Sequence, residues 1–449
     1  MKKVITYGTY DVLHHGHIRL LERAKALGDY LIVGVTSDDF DKTRGKINVQ
    51  QSLMERIEAV RAIGIADEVI VEEYEGQKID DIRKYEVDIF TVGSDWVGKF
   101  DYLNEFCEVV YLPRTEGVSS SEIRDTSRKC SLGIIYEKHV YSKIIEECKY
   151  VNGMELKGFC VDHISDDIRK EYSDFYLTEK EEDLLEKVEA VYIGVNPERR
   201  AEYTERAIKA GKHVLCEAPI AIDDKVCADL FELAEEKGVV LMTGIKTAYS
   251  TAYNRILLMA RDGRIGDIVS IDTVCTSLSD PYYGDEEKQQ NNWNSIYSWG
   301  PIALLPIFQI LGHEYKNKSI VSRFMDEGKK YDAFTKIDFV YDRAVASVLV
   351  GKGIKSEGSL TICGTKGYIY VPAPWWKTDY FEARYENSDS TRKYFYQLDG
   401  EGIRYELVAF VRAISSGNDS FYINRGTSVA ISKIMKDFTE RKDFTEIGV

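Results

Sequence analysis

Apolar and polar positions follow two different patterns over the first third of the chain. Short apolar runs predict strands, and segments with an apolar residue every three or four positions predict helices. In chain order these segments are VITYG, HIRLLERAKALG, DYLIVGVTS, LMERIEAVRAIG, DEVIV, KIDDIRKYE, VDIFTVG and EVVYL. Strands that are apolar throughout and alternate with helices lie in a parallel sheet covered on both faces. The pattern predicts a doubly wound α/β domain over residues 1–129.

A second series of the same kind starts at residue 130 and ends near residue 247. It includes LGII, MELKGFCV, AVYIGV, RAEYTERAIKAG, HVLCE and VCADLFELAEEKG, and it predicts a second Rossmann-like domain over residues 130–247. Over residues 248–449 the elements become longer and mixed, as in DIVSIDTVCTSL, AVASVLVG and SLTICGTKGYIYVP. These segments predict a C-terminal α+β domain with an open mixed sheet.

The composition is typical of a globular protein and excludes a wholly disordered chain, because 44% of the 449 residues are hydrophobic and 30% are charged. The 59 Lys and Arg residues against 75 Asp and Glu residues give a net charge of -16. This charge argues against a general nucleic-acid or anionic-membrane surface, so we expect no nucleic-acid partner. An anionic substrate needs a local basic pocket.

The location of the protein follows from two further observations. No run of about 18 apolar residues occurs, and the N-terminal segment lacks the apolar core of a signal peptide. The eight cysteines form no C-x-x-C pair, which argues against a zinc ribbon or a disulfide framework. We therefore expect a cytoplasmic protein with reduced thiols and no membrane insertion.

The segment GTYDVLHHGHI follows the first predicted strand and opens the first predicted helix. Residues 8–11 thus lie at the carboxyl edge of a sheet beside a helix N-terminus, where phosphates bind. His14 and His17 are three residues apart and share a helix face, so both can donate to one phosphate group. A lone histidine here is more often a core or capping residue. The H-x-G-H pair after a glycine-bearing strand end favours a site that stabilises a leaving pyrophosphate.

A second motif, RTEGVSSSEIR, lies near the end of the first domain. Arg114 and Thr115 precede a glycine turn, and three serines that can cap a helix follow it. Backbone N–H groups and hydroxyls of such a segment can hold triphosphate oxygens. An ordinary Ser-capped helix is the alternative, but the combination with H-x-G-H favours a nucleotide site.

Residues 1–125 resemble the glycerol-3-phosphate cytidylyltransferase family, within the HxGH nucleotidyltransferase superfamily. The resemblance rests on GTYDVLHHGH, LLERAKALGDYLIV, GSDWVGKFDYL, CEVVYLPRTEG and VSSSEIR. It implies an HxGH Rossmann-like fold and transfer of CMP from CTP to a polyol phosphate, giving a CDP-alcohol and pyrophosphate. It also implies Mg²⁺ bound with CTP, and use of the product in a cell-surface polymer such as teichoic acid or capsule.

The resemblance assigns site residues position by position. The catalytic group would be His14, His17, Lys46 and Arg114, with Lys46 reaching the phosphates of CTP. The same four residues would contact the nucleotide together with Thr9, Tyr10, His15, Gly16, Asp95, Thr115, Glu116, Gly117, Val118, Ser119, Ser120 and Ser121.

For the second substrate the family uses two lysines. One matches Lys78, and the other falls on Arg44, so a basic contact survives at both positions. A tryptophan near that lysine in the family falls on Glu75 here, which leaves the identity of the alcohol phosphate open.

The implied reaction is an in-line attack of the acceptor phosphate on the α-phosphorus, with no covalent enzyme intermediate. Positioning and charge stabilisation then carry the catalysis. Asp11 and Asp95 are candidates for orienting Mg²⁺ or CTP, and Asp11 is the candidate metal ligand. An Asp at a strand end often only caps a helix.

Residues 131–449 resemble the Gfo/Idh/MocA oxidoreductases, which have a Rossmann domain followed by an open mixed-sheet domain. The clearest stretch is AIKAGKHVLCEAPIAIDDKVCADLFELAEEKGVVLMTG, followed by RIGDIVSID. The first Rossmann turn of that family needs G-x-G-x-x-G/A, because glycine lets the backbone approach a pyrophosphate. Here LGII continues as Tyr136, Glu137, Lys138 and His139, and Glu137 brings a carboxylate to the cofactor's phosphates.

Two further family positions have changed. The E-K-P motif, whose lysine belongs to the family's active site, reads Glu217, Ala218, Pro219. The positions of the family's Asp and His fall on Leu304 and Phe308. The three losses predict a pseudo-oxidoreductase domain that does not bind NAD(P) in the usual manner.

Two alternatives stay open. In the first, the protein is bifunctional, and its C-terminal domain is an active NAD(P)-dependent reductase that makes the polyol with shifted residues such as Lys138, His139, His163 or Lys246. In the second, the protein is a non-catalytic scaffold or sensor, against which the intact motifs argue. The aromatic segment from Tyr282 to Trp299 indicates a ligand pocket or an oligomer interface, and we expect a homodimer or a higher homo-oligomer.

Overall fold

The computed structural model describes most of the chain and divides it into two compact units, Met1–Arg128 and Lys129–Val449. The described residues are 1–11, 13–37, 49, 51, 53–74, 76–113, 129–137, 142–261, 263–278, 294–325, 328, 331–396, 398–416 and 422–448.

The described part of the N-terminal unit is a five-stranded parallel sheet flanked by helices. Its strands are β1 Lys3–Gly8, β2 Tyr30–Thr36, β3 Glu68–Glu72, β4 Ile89–Gly93 and β5 Glu108–Leu112, in the spatial order β3-β2-β1-β4-β5. The helices are α1 His15–Lys25, α2 Leu53–Ala62 and α3 Gln77–Tyr85. The strand order reverses between β1 and β4, and ligands of such sheets bind outside the carboxyl ends at that switch point.

Two apolar clusters cover the sheet of the N-terminal unit. One joins strand residues such as Val4 and Val33 to Leu21 of α1 and Val60 of α2. The other joins Ile5 and Phe90 to side chains that include Ile82 of α3. Burial on both sides explains why the strands are apolar throughout. It also makes the sheet a rigid base for the loops at its carboxyl edge.

The second unit begins with another parallel sheet, six-stranded in its described residues, in the order β11-β10-β9-β6-β7-β8. The strands are β6 Cys130–Ile135, β7 Met154–Cys160, β8 Tyr176–Thr178, β9 Ala190–Ile193, β10 His213–Glu217 and β11 Leu241–Gly244. The helices are α4 Ser142–Cys148, α5 Asp166–Glu171, α6 Glu181–Leu185, α7 Pro197–Lys209 and α8 Asp224–Lys237. The switch point of this sheet lies between β6 and β9.

A mixed sheet completes the second unit, with nine strands in its described residues in the order β19-β18-β17-β16-β12-β15-β14-β13-β20. The strands are β12 Ile268–Thr276, β13 Asn317–Phe324, β14 Asp332–Val340, β15 Val345–Gly351, β16 Leu360–Gly364, β17 Gly367–Val371, β18 Tyr380–Tyr385, β19 Arg392–Phe395 and β20 Phe444–Glu446. The helices are α9 Thr251–Arg261, α10 Ser295–Leu311, α11 Ile403–Ser416 and α12 Arg425–Thr439. Pairings in both directions confirm the mixed sheet.

The fold class expected from the sequence is confirmed: two parallel Rossmann-like sheets precede an open mixed sheet. Among the described helices, none is long and apolar enough to cross a membrane. All eight cysteines of the sequence are free thiols.

Candidate functional site

The H-x-G-H histidines lie at the start of the first helix, after the loop that follows the first strand. β1 ends at Gly8, and α1 begins at His15 beside the carboxyl edge of the sheet. The rings of His14 and His17 are stacked, with 3.9 Å between their centroids and 18° between their planes. Both side chains are half-buried. The structure thus brings together the two imidazoles that the sequence assigned to one phosphate group.

His14 has a second task, as the N-cap of α1. Its Nδ1 accepts a hydrogen bond from the backbone N–H of Gly16 at 3.1 Å. An accepting Nδ1 carries no proton, so the proton of the neutral ring lies on Nε2. Because capping fixes the ring, the Nε2–H donor has a defined direction before any ligand arrives.

Tyr10 and Asp11 fix the loop between β1 and α1 through their buried side chains. Tyr10 has a left-handed backbone (φ +54°), and its buried ring packs edge-on against His17 at 5.5 Å between centroids. Asp11 is also buried, and its Oδ1 accepts from the backbone N–H of Gln51 at 2.9 Å. In the described residues no group of three or more His, Cys, Asp or Glu side chains is arranged to hold a metal ion. The metal-ligand role of Asp11 stays a prediction.

Arg56 of α2 is a positioning residue that the sequence analysis missed. Its side chain is fully buried, and its Nη1 donates to the backbone carbonyls of Thr9 at 2.6 Å and Thr36 at 2.8 Å. Its Nε donates to the carbonyl of Gln51 at 3.2 Å. One guanidinium therefore ties the loop after β1 to the end of β2 and to the segment before α2. In the sequence, the only indication of this role was the position of a charged residue beside the apolar helix positions Leu53, Ile57 and Val60.

Lys78 of α3 is a buried cation in an acidic and aromatic setting. It forms an ion pair with Glu72, whose Oε2 also accepts from Thr36 Oγ1 at 2.8 Å. The Nζ of Lys78 lies 4.7 Å from the centroid of the Tyr7 ring and 5.5 Å from that of Phe100. The acceptor-binding role of Lys78 stays a prediction, and the structure adds Glu72 as the carboxylate that holds its ammonium.

The remaining N-terminal assignments lie outside the described residues. These are Arg44, Lys46, Glu75 and residues 114–121, and the side chains of His15 and Asp95 are also outside the description. Trp96 is half-buried, with its ring centroid 5.8 Å from that of Phe100.

In the second unit, Tyr136 occupies the switch-point crevice of the six-stranded sheet. It follows β6 directly, and its ring lies against Gly194, which follows β9. A Cβ added at Gly194 would be 2.4 Å from Cζ of Tyr136. The Tyr136 hydroxyl donates to Glu217 Oε1 at 2.9 Å. In dinucleotide-binding sheets this crevice takes the cofactor.

The acidic residues near the same crevice are joined by an arginine. Asp162 follows the second strand of this sheet, where Rossmann domains place the carboxylate that binds the cofactor's ribose. Arg199 of α7 lies 3.2 Å from Asp162 Oδ2 and 3.0 Å from Glu137 Oε1. The Asp162 carboxylate is therefore already paired within the chain. Lys138 and His139 lie outside the described residues.

Glu217, the first residue of the altered E-A-P motif, accepts hydrogen bonds from three side chains. Tyr136 and Tyr192 each donate to its Oε1 at 2.9 Å, and Arg200 Nη2 lies 2.7 Å from its Oε2. Burial, and then the charge of Glu217, raise the pKa of Tyr192 well above its usual value, which keeps that phenol a donor. The Glu217 carboxylate is thus held as a structural acceptor.

The other altered positions are apolar or small, as the sequence indicates. Leu304 and Phe308 are buried inside α10. Ala218 precedes Pro219 through a cis peptide bond, and its carbonyl accepts from Arg200 Nη1 at 2.6 Å.

Comparison with known proteins shows that the N-terminal and C-terminal parts of the chain are similar to different families. A family model described as "Cytidylyltransferase-like" matches residues 5–126. The glycerol-3-phosphate cytidylyltransferase of Bacillus spizizenii is 52% identical over 124 residues, which are 28% of this chain and 95% of that protein. The enzyme of the same name from Staphylococcus aureus is 49% identical over 128 residues, 28% of this chain and 93% of that protein.

The second unit matches a different family. A model described as "Oxidoreductase family, NAD-binding Rossmann fold" matches residues 151–245, so the match starts after the first Rossmann turn. The crystal structure of KijD10, a 3-ketoreductase from Actinomadura kijaniata in complex with NADP and TDP-benzene, has a TM-score of 0.62 at 18% identity. The match covers 71% of this chain and 99% of that chain. This likeness establishes the fold of the second unit.

Proposed function

Because the chain belongs to the cytidylyltransferase-like family through residues 5–126, we propose that its N-terminal unit transfers the cytidylyl group of CTP to a polyol phosphate. Glycerol 3-phosphate is the first candidate acceptor, since two relatives named for that substrate align over nearly their whole length. The observation that carries the proposal is the stacked His14–His17 pair at the carboxyl edge of the sheet.

The proposed reaction needs no covalent enzyme intermediate. An oxygen of the acceptor phosphate attacks the α-phosphorus of CTP, the bond from that phosphorus to the bridging oxygen breaks, and pyrophosphate leaves with the electron pair. In this proposal, His14 and His17 donate hydrogen bonds to phosphate oxygens as negative charge grows on the leaving group. Arg56 keeps the loop after β1 in position through the Thr9 carbonyl.

Mg²⁺ enters this proposal as a complex with the phosphates of CTP, which is the usual way that Mg²⁺ binds in nucleotide sites. The buried Asp11, which already accepts from Gln51, suits a role in holding the loop. The acceptor phosphate is assigned to Lys78 with Arg44, and binding there requires the Lys78 ammonium to be shared between the phosphate and Glu72.

We further propose that the second unit does not bind NAD(P) in the usual manner. The Tyr136 ring against Gly194 takes up the crevice between β6 and β9, and Arg199 ties the Asp162 carboxylate to Glu137. A nicotinamide cofactor would have to displace both groups. The NADP-bound neighbour and the name of the matched family favour the bifunctional alternative, so cofactor binding is the measurement that separates the two.

The proposed product is a CDP-alcohol, an activated donor of a polyol phosphate unit, and we propose that it feeds a cell-surface polymer. A cytoplasmic location agrees with the eight free thiols, because disulfides form in oxidising compartments. A homo-oligomer stays a prediction that light scattering of the purified chain tests.

The experiment for the main proposal is a transferase assay on the full chain. CTP and a panel of polyol phosphates are mixed with enzyme, and pyrophosphate release and CDP-alcohol formation are followed together. We expect both products in equal amounts, with CTP preferred over ATP and GTP. Absence of pyrophosphate release with every acceptor would leave the non-catalytic scaffold as the better hypothesis.

A further inference from the structure

Three lysines from separate segments of the second unit converge on one carboxylate. Lys143 lies in the first turn of α4, Lys246 in the 3₁₀-helix Lys246–Tyr249 after β11, and Lys377 in the 3₁₀-helix Trp375–Lys377. Lys246 Nζ lies 3.0 Å and Lys377 Nζ 2.8 Å from Glu401 Oε2, and Lys143 pairs with Oε1. Segments more than 100 residues apart in sequence thus bring their ammonium groups to a single point.

The charges at this point do not balance. Among the described side chains, three ammonium groups face the carboxylate of Glu401, and the nearby Glu147 is paired with Arg404 at 2.6 Å. Glu406 is fully buried, and burial followed by the charge of Glu217 raises its pKa to about 8, so it is mostly neutral at pH 7. Lys246 and Lys377 by themselves bring two positive charges to the one carboxylate of Glu401, in a chain whose net charge is -16. Like charges held together in this way repel one another unless an anion joins them.

Glu401 is presented by an unusual piece of backbone. Its φ is +55°, and its neighbours Gly400 and Gly402 have φ of +55° and +92°. A left-handed conformation is strained for a non-glycine residue. A Cβ at Gly402 would lie 2.9 Å from the carbonyl oxygen of Lys246, so the loop also needs glycine for its close approach. Although partial burial acts to raise the pKa of Glu401, its three lysine partners hold it well below the usual value.

An aromatic pair involves the residue next to Lys377 in sequence. The carbonyl of Trp376 accepts from Thr247 Oγ1 at 2.9 Å, which joins the segments that carry Lys377 and Lys246. The ring of Trp376 lies 4.9 Å from that of Trp299, between centroids. The indole Nε1 of Trp299 is buried and has no hydrogen-bond partner among the described residues. Trp376 is therefore part of the same segment as Lys377, and its ring is paired with that of Trp299.

The lysines are also accessible. The exposed fractions of their side chains are 47% for Lys143, 23% for Lys246 and 37% for Lys377, and that of Glu401 is 26%. A small solute can reach the ammonium groups without unfolding the unit. A phosphate group fits this arrangement because it carries up to two charges and accepts hydrogen bonds on several oxygens at once.

We propose that Lys143, Lys246 and Lys377 form a binding site for the phosphate group of a phosphate ester, and that Glu401 takes the place of that phosphate when the ligand is absent. The Trp299–Trp376 pair, which includes the neighbour of Lys377 in sequence, is the candidate surface for the organic part of the ester. This second site belongs to the oxidoreductase-like unit and is independent of the cytidylyl-transfer proposal.

The experiment removes the resident carboxylate from the full chain. Inorganic phosphate, glycerol 3-phosphate and uncharged glycerol are titrated by calorimetry at constant ionic strength into wild type, Glu401→Gln and the double variant Lys246→Met/Lys377→Met. Phosphate binding in the N-terminal unit contributes equally to all three proteins. We expect at least tenfold tighter binding of a phosphate compound in Glu401→Gln, loss of that binding in the double variant, and none for glycerol.

Two controls separate this site from general charge effects. Lys436→Met removes one lysine of similar exposure that pairs with Asp223 and Asp224, and we expect it to bind like wild type. Cytidylyl transfer should be unchanged in every variant, because none of the substituted residues lies in the N-terminal unit. A failure of the present proposal is therefore distinguishable from a failure of the transferase.

The arms of the titration also decide which compound is bound. After the binding that persists in the double variant is subtracted, tighter binding of glycerol 3-phosphate than of inorganic phosphate supports an ester ligand, and the reverse order overturns the assignment to an ester. If Glu401→Gln does not fold, Glu401→Gly replaces it, since glycine suits the left-handed φ. Dissociation constants that agree within twofold among wild type, the Glu401 variant and the double variant would make Glu401 a fixed structural counter-ion and overturn the proposal.

Discussion

The imidazole rings of His14 and His17 are stacked with nearly parallel planes, 3.9 Å apart between centroids, at the N-terminus of α1. The same His14 ring caps the helix through Nδ1, and His17 packs on the buried ring of Tyr10. The pair is therefore oriented by the fold before substrate arrives. Preorganised donors of this kind stabilise a transition state without the cost of reorganisation.

Replacing His17 with Ala should lower kcat for cytidylyl transfer about 10²- to 10³-fold, with a much smaller change in the KM for the acceptor. The reason is that the imidazole is needed most when charge develops on the leaving pyrophosphate. Steady-state assays with CTP and glycerol 3-phosphate measure the effect. His163→Ala, at a side chain that is 84% exposed in the other unit, is the control and should match wild type. A kcat of the His17 variant within threefold of the wild-type value would show that His17 does not take part in catalysis.

Replacing Arg56 with Ala should destabilise the N-terminal unit by about 3 kcal/mol, because it removes a donor from one buried and two partly buried carbonyls. It should also lower kcat/KM, since the loop that carries Thr9 loses its anchor. Arg56→Lys should recover part of the stability but not the loop geometry, because an ammonium cannot span the carbonyls as a guanidinium does. Denaturant unfolding and the transferase assay are the measurements.

The matched control for Arg56 lies on the same helix. Arg61 is exposed and pairs with Glu58 at 2.9 Å, so Arg61→Ala should change stability by no more than about 0.5 kcal/mol. Equal effects of the two alanine substitutions would contradict the anchoring role of Arg56.

The full chain should not bind NADH or NADPH with a dissociation constant below about 100 μM, an affinity worth roughly 5.5 kcal/mol. The physical reason is the occupied crevice: Tyr136 lies against Gly194, and Asp162 is paired with Arg199. Titration followed by nucleotide fluorescence tests this expectation, with CTP as the positive control for an intact protein. Saturable binding below that concentration would favour the bifunctional enzyme.

Glu406 should make the stability of the second unit fall as the pH rises. Burial, and then Glu217, raise its folded pKa to about 8 from a usual value of 4.5, while Lys246 acts in the opposite direction. The protonated form is favoured in the folded state, so its contribution is fully present below pH 4.5 and is lost as the pH rises through about 8. Relative to the Glu406→Gln variant, the free energy of unfolding of wild type should fall by up to about 1.4 kcal/mol per pH unit between pH 4.5 and about 8.

Unfolding free energies at pH 5, 7 and 9 measure this difference between wild type and Glu406→Gln. The variant should gain on wild type as the pH rises, because its amide does not titrate. Glu186→Gln, at an exposed position of the same unit, should give a curve parallel to that of wild type. Parallel curves for Glu406→Gln as well would mean that Glu406 is ionised in the folded protein.

Much of the fold could be predicted because its signals are local. Apolar runs such as VITYG and DYLIVGVTS become β1 and β2, since burial on both faces of a parallel sheet demands apolar side chains at every position. The same holds for AVYIGV, which contains β9, and for the change to a mixed sheet after β11. The H-x-G-H motif was also readable, because strand, turn and helix start are adjacent in sequence.

The sequence by itself determined the two α/β units, the histidine pair at a sheet edge and the altered first Rossmann turn. Only the tertiary structure decided that Arg56 reaches the carbonyl of Thr9, 47 residues away, that Tyr136 fills the crevice beside Gly194, and that three lysines meet at Glu401. Residues within a strand or helix are neighbours through the backbone, so periodicity specifies their placement. Side chains from distant segments meet only when the packing of whole elements brings them together, and no local pattern records that outcome.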